Sequence, residues 1–325
     1  MTEFRHIVTE EEAGRSVKEL MRQHFTFSSR LMTKLKFQNL VFLNGEPMPG
    51  WVPTACGDEI VIKMPEETSD FEAEDIPIDV VYEDKDILVL NKQPWVAVHP
   101  TKGKPNHTIA NGLMKKMKDD MAAGTGEPYK IRFVNRLDMN TSGLMIVAKN
   151  GFAQEEIIKQ MRKNQVEKKY IAVVTGEIPE EEGTIDLPLG RPFPDEVERW
   201  VLPVEEGGQP SVTHYQVLER FNGHTLVELK LETGRTHQIR IHLSYIGYPI
   251  VGDHLYCHGD PFEYRRVHNI PGYVHEERVS PYIDRQALHA RYLAFRHPVT
   301  KEMLSFETEI PQDIQHLITV LKDMK

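Results

Sequence analysis

The stretch NRLDMNTSGLMIVAKN, Asn135–Asn150, decides the reading of this chain. It opens polar, with one carboxylate, Asp138, two residues after Arg136 and just ahead of Thr141-Ser142-Gly143. It then turns into the apolar run LMIVA, and IRFVN precedes it from residue 131. Short apolar runs bounded by turn residues read as strands. Asp138 is therefore expected on a connection between two strands, and an anchored loop is where functional side chains are often held. Alone, an aspartate after a strand is more often a turn former or helix cap, and Thr-Ser-Gly is ordinary turn chemistry.

Outward from this loop, strands and helices alternate from about residue 78 without internal repeats. DVVYEDKDILVLNKQPWVAVHP (79–100) and KKYIAVVTGEI (168–178) carry apolar runs typical of buried strands. GFAQEEIIKQMRKN (151–164) has the spacing of an amphipathic helix. THYQVLERFNGHTLVELKLET (213–233) reads as a hairpin about Asn222-Gly223, with Val227, Leu229 and Leu231 alternating against Glu228, Lys230 and Glu232. RTHQIRIHLSYIG (235–247) predicts a helix with Ile239, Leu243 and Ile246 on one face and Gly247 at a left-handed C-terminal cap. Arg240 borders that apolar stripe, so packing can hold its guanidinium in place. The class is α+β.

The length of 325 residues suits two domains, one ordinary and one small. RSVKELMRQHF and SSRLMTKLKFQ predict two short helices, the second opened by Ser28 or Ser29, followed by strands in LVFLNGEPM, turning at Asn44-Gly45, and in GDEIVIKM. PEETSDFEAEDIP (65–77) is rich in like charges and poor in large apolar residues, as linkers are. The expected boundaries are a small unit at 1–66, a linker at 67–77 and a main domain at 78–325. MTEFRHIVTEEEAG has no apolar core of a signal peptide, and no run approaches the roughly 20 residues of a membrane span. Cys56 and Cys257 imply no disulfide framework. A cytoplasmic monomer is expected, with no membrane contact and no obligate protein partner.

The net charge of −10 looks wrong for a nucleic-acid binder, but ten acids against Lys85 between Glu66 and Asp86 account for −9 of it. The acidity is local and leaves room for a basic face elsewhere. The first two helices carry Arg15, Lys18, Arg22, Arg30, Lys34 and Lys36 against only Glu19. For such a run a solvated helix face is the plain reading.

In order, NRLDMNTSGLMIVAKN, KKYIAVVTGEI, LETGRTHQIRIHLSYIGYPIVGDHLY and LHARYLAFRHPVT resemble the successive motifs of the RluA-type RNA pseudouridine synthases, a likeness that spans 78–325. The helix–helix–VFLNG–GDEIVI order before them resembles the small ribosomal S-four-like RNA-binding module, except that Gln38-Asn39 replaces its usual glycine. The resemblance implies a central mixed, largely antiparallel sheet with flanking helices, plus a small α/β unit. It implies Asp138 as the catalytic carboxylate, Arg240 as its cationic partner, and Tyr170 packing on the target base and shuttling a proton. Arg136 is expected to enter the RNA in place of a flipped base. Asn135, Arg235 and His237 join the six cations of the first helices as RNA contacts. Asn135 stands where many relatives carry histidine. Thr141, Ser142 and Gly143 shape the loop. Isomerising uridine needs no redox or energy input, so neither cofactor nor metal is expected. The expected partner is RNA, large-subunit ribosomal RNA first and transfer RNA second.

CHGDPFEYRRVHNIPGYVHEERVSPYID (257–284) is longer than the family implies. Tyr264, Arg265 and Arg266 make it a candidate RNA-contacting loop, whereas His254, Cys257, His258, His268 and His275 fit no standard zinc spacing. Two rival functions compete. DMNT at 138–141 loosely resembles the D-x-D-x-T of haloacid dehalogenase-like phosphohydrolases, with Asp253 as a metal-binding acid. Asn140 stands where their general acid should be, and that chemistry would require magnesium. A non-catalytic RNA binder would have no use for Asp138, Tyr170 and Arg240 together.

Overall fold

The computed structural model describes residues 3–25, 27–48, 51–65, 67–101, 103–192, 198–256 and 282–324. The first unit comprises β1 (Glu3–Ile7), α1 (Val17–Phe25), α2 (Ser29–Phe37), β2 (Val41–Leu43), β3 (Glu46–Pro47) and β4 (Glu59–Lys63). Its sheet runs β1-β4-β2-β3. Ser28 is the cap of α2, its hydroxyl accepting from Leu31 N–H at 3.3 Å. Asn44 and Gly45 both take positive φ, 51° and 86°, as a tight two-residue turn requires. β1 lies in a stretch where the sequence shows no strand signal. It is a charged edge strand with a single buried residue, Phe4, too short to display an alternation.

The segment between β4 and residue 80 holds no helix or strand among its described residues, but it is tied down along the main body. Glu67 pairs with Lys34 at 2.7 Å and with Arg132. The Ser69 hydroxyl accepts from Ile131 N–H, and the Glu72 carbonyl accepts from the Asn111 side chain, each at 2.9 Å.

The main body contains β5 (Val80–Glu83), β6 (Ile87–Lys92), α3 (Ile109–Ala122), β7 (Arg132–Phe133), β8 (Ser142–Ala148), α4 (Gly151–Arg162), β9 (Glu167–Thr175) and β10 (Glu182–Asp186). After these come the short pair β11 (Leu189–Gly190) and β12 (Trp200–Val201), then β13 (Val212–Phe221), β14 (His224–Leu231), α5 (Gln238–Tyr245), β15 (Leu288–Arg296), β16 (Met303–Glu307) and α6 (Gln312–Asp323). A ten-stranded mixed sheet runs β10-β13-β14-β9-β15-β8-β6-β5, with β16 beside β15 and β7 beside β8. β8 is buried at every position. Its alternate residues feed two cores, Met145 and Val147 into one face and Leu144, Ile146 and Ala148 into the other. β8 and β15 run parallel where Ser142 faces His289 and Gly143 faces Ala290. A Cβ on Gly143, at φ +116°, would lie 2.3 Å from the Ala290 carbonyl oxygen, so glycine is required there. The α+β class and the mixed, mostly antiparallel sheet agree with the sequence reading. α5 begins at Gln238, three residues later than the apolar spacing implies, because His237 adopts φ +58° and breaks the helix.

Candidate active site

The loop between β7 and β8 carries Asp138, and buried groups from three directions hold its backbone. Thr141 N–H donates to the Asp138 carbonyl at 3.1 Å, closing a turn. Lys92, at the end of β6 and 1% exposed, donates to the carbonyls of Gln93, Val96 and Met139 at 2.7, 2.9 and 2.9 Å. Burial pushes the Lys92 amine down to about 7, while Asp138 pulls it back up. Its three carbonyl acceptors match the three protons of an ammonium group. Arg285 is fully buried, clamped by Asp313 at 2.6 and 2.9 Å, and donates to the Asn140 carbonyl at 3.2 Å. Gln286 donates to the Thr141 hydroxyl at 3.1 Å, and the Ser142 hydroxyl meets His289 Nδ1 at 2.9 Å. The Asn135 side-chain oxygen accepts from Ile146 N–H at 2.8 Å, pinning the start of the loop to β8.

The Asp138 side chain is 24% exposed, and its Oδ2 accepts from Arg240 Nη1 at 2.9 Å. Arg240 is buried, and its other edge is forked onto Asp253, Nε to Oδ2 at 2.6 Å and Nη2 to Oδ1 at 2.8 Å. Burial works against the Arg240 charge, but the bonds and charge of Asp253, helped by Asp138, hold its pKa above the usual value. Asp253 Oδ1 also accepts from Leu255 and Tyr256 N–H at 3.0 and 3.3 Å. Both its oxygens are thus engaged by cationic or N–H donors, an unsuitable environment for a metal ion. The phosphohydrolase reading of Asp253 therefore has no support in the geometry.

Tyr170, from β9, and His237, just ahead of α5, share with Asp138 and Arg240 an open cleft of about 70 Å³. Burial, then the Asp138 charge, raises the Tyr170 pKa, keeping the phenol neutral. The Tyr256 hydroxyl accepts from Arg199 N–H at 3.1 Å, which leaves its proton for His237 Nδ1 at 2.7 Å. That arrangement assigns the His237 proton to Nε2, which faces Asp138 Oδ2 at 3.9 Å. The Tyr256 ring lies against the Arg240 guanidinium, 4.9 Å from its centroid. Burial lowers the His237 pKa.

The sequence-derived candidates divide accordingly. Asp138, Tyr170, Arg240 and His237 meet in one cleft, with exposed Arg136 and Arg235 at its rim. Thr141, Ser142 and Gly143 are buried in the loop's foundation. Arg15, Lys18, Arg22, Arg30, Lys34 and Lys36 lie on or beside the first two helices, in the other unit. Arg15 donates to Gln23, Arg22 donates to Ser29, and Lys34 is paired with Glu67. Cys257, His258, Tyr264, Arg265, Arg266, His268 and His275 lie outside the described residues. Sequence reasoning missed Lys92, Arg285, Asp253 and Tyr256 as site-building groups. A signal existed for the last two, inside the motif stretch GDHLY. A wider cleft of about 1020 Å³, lined by Met64, Glu67, Lys149 and Asn150 among others, contains none of the catalytic candidates.

The family model described as RNA pseudouridylate synthase matches residues 86–245. The chain is 40% identical over 283 residues to an RNA pseudouridine synthase of Bacillus subtilis, YlyB, covering 87% of this chain and 86% of that one. It is 35% identical over 320 residues to the ribosomal large subunit pseudouridine synthase D of Vibrio parahaemolyticus, covering 97% and 93%. Among solved structures, human RNA pseudouridylate synthase domain containing 4 superposes with a TM-score of 0.57 at 26% identity, covering 75% of this chain and 92% of that one. The chain belongs to the RNA pseudouridine synthase family. It is an isomerase.

Proposed function

We propose that this enzyme converts specific uridines of structured RNA to pseudouridine with Asp138 as the catalytic carboxylate. In that reaction the N1–C1′ bond breaks, the uracil turns over, and a C5–C1′ bond forms. The C5 proton is lost to water and N1 gains one, so atoms balance without oxidant or cofactor. A carboxylate acting on the nucleoside must be ionised and aimed. The observation that carries the reading is the Asp138–Arg240 ion pair, held from behind by Asp253 in a cleft that Tyr170 also lines. Tyr170 packs on the base, and its neutral phenol can exchange a proton with it. Arg136 fills the space that the flipped uridine leaves in the RNA, offsetting the few kcal/mol of unstacking.

The relatives named as large-subunit pseudouridine synthase D support large-subunit ribosomal RNA as the substrate, in the cytoplasm, over transfer RNA. Residues 1–66 serve as an S-four-like RNA-binding domain, 67–77 as a linker and 78–325 as the catalytic domain. The paired helices with their cations and the separate four-stranded sheet support this division.

The test is tritium release, in a chelator, from RNA of cells lacking the enzyme, labelled at uracil C5. Wild type should release tritium to water and Asp138→Ala should not. Release that survives in the variant would show that another residue does the chemistry.

A further inference from the structure

Next to the Asp138 cleft lies a second cavity of about 470 Å³, and four arginines line it: Arg136, Arg191, Arg199 and Arg235. Gln209 and Thr236 add polar side chains, and no carboxylate lines it among the described residues. The sequence brings these cations together by a specific device. β11 and β12 pair Leu189 with Val201 and Gly190 with Trp200, so the next residues along, Arg191 and Arg199, stand opposite each other where the strands run into their connecting loop. Burial, then the neighbouring Arg191 charge, lowers the Arg199 pKa, as expected when two guanidinium groups are crowded together.

The hairpin is fastened to the catalytic network. Arg199 N–H donates to the Tyr256 hydroxyl, which bonds His237 and packs against Arg240. Its base is fixed by close approaches that need glycine: a Cβ on Gly208 would lie 1.9 Å from the Leu202 carbonyl oxygen. Arg136, Gly234 and Arg235 border both cavities, so an RNA strand whose uridine enters the Asp138 cleft runs past these guanidinium groups. Forked guanidinium groups recognise phosphate oxygens.

We infer that the cavity is a phosphate subsite, in which Arg191 and Arg199 hold the RNA backbone beside the target nucleotide. This rests on the reading of the chain as an enzyme acting on RNA. Through the Tyr256 hydroxyl, the strand is held in register with the carboxylate.

The experiment uses the full chain and an in vitro transcript of large-subunit ribosomal RNA, with binding measured over a series of salt concentrations. Each phosphate contact adds about 0.7–0.9 to the slope of log K against log salt. Arg191→Gln with Arg199→Gln should make the slope shallower by about 1.4–1.8, and Arg191→Gln alone, used if the pair misfolds, by half of that. Arg191→Lys with Arg199→Lys should keep it. In tritium release the glutamine pair should raise KM at least tenfold with kcat within about twofold. An unchanged slope in the glutamine variants overturns the subsite, and so does an equal loss in the lysine pair, which would mark a packing role. Because the slope needs no turnover, steep binding without tritium release would sink the synthase reading and leave the subsite standing.

Discussion

Arg240 holds Asp253 with two bonds and Asp138 with one. The arginine is therefore fixed from the buried side, and the single bond that faces the cleft goes to the partly exposed Asp138 carboxylate. Removing Asp253 leaves a buried cation with one partner, a loss in the range of about 3–5 kcal/mol. Asp253→Ala should show it in urea unfolding, together with a drop in turnover of at least a hundredfold. Asp138→Asn should abolish turnover while changing the urea midpoint far less. Equal midpoints for Asp253→Ala and wild type would disprove this order of attachment.

The bonds of the Lys92 ammonium go to backbone carbonyls, and by holding that of Met139 it sets where Asp138 stands. Lys92→Met keeps much of the length and strips three part-buried carbonyls of this donor, each costing up to about 1–3 kcal/mol where it is left unsatisfied. A destabilised protein with kcat depressed more than KM is expected. Wild-type thermal stability in this variant would show that the three bonds are dispensable.

His289 is buried beside the loop that carries Asp138, between the Ser142 and Thr308 hydroxyls. Burial, reinforced by Arg285 and Arg291, lowers its pKa to about 4 from the usual 6.5. Between those values the unfolded chain takes up a proton that the folded one refuses, so stability falls as the pH drops from 6.5 to 4. The contribution approaches about 3 kcal/mol at the acid end. Unfolding titrations at pH 7 and pH 4.5 should give a smaller difference for His289→Gln than for wild type. A difference of the same size in both would clear His289 of the acid sensitivity.

Two glycines provide a paired test of backbone demand. Gly143→Ala must place a methyl against the Ala290 backbone and adopt an unfavourable φ, so we expect little soluble protein or a loss above about 3 kcal/mol. Gly151→Ala, at the start of α4 with nothing within 4 Å, should be neutral or gain up to about 1 kcal/mol. Melting temperatures decide both, and a fully stable Gly143→Ala would refute the close approach of β8 and β15.

Much of this was legible in the sequence because it depends on local pattern. The apolar runs of β6, β8 and β9, the Asn222-Gly223 hairpin and the loop carrying Asp138 are all read from neighbours in the chain. Tyr170 and Arg240 came from motif order. What stayed hidden depends on contacts across the fold. Lys92 ends a strand and looks like any surface lysine until three carbonyls close on it. Arg285 follows a long insertion and shows its role only against Asp313 and Asn140. The short strands β11 and β12 have no period to detect, so the clustering of Arg191 and Arg199 needed three dimensions. The acidic segment reads as a free linker by composition, yet Ser69, Glu67 and Glu72 fasten it to the body.

Phe152, the second residue of α4, turns away from the main body's cores and joins Phe4 and Phe27, with ring centroids 4.7 and 5.2 Å apart. One aromatic side chain of the main body thus completes the hydrophobic cluster of the small N-terminal unit. The two parts are joined as a tooth in a socket, and heat or urea should melt them together. Severing the chain between them would leave a bare phenyl ring on one fragment and a hole in the other. The front unit is therefore held at a constant distance from Asp138, a fixed arm for the RNA contacts proposed for its cations.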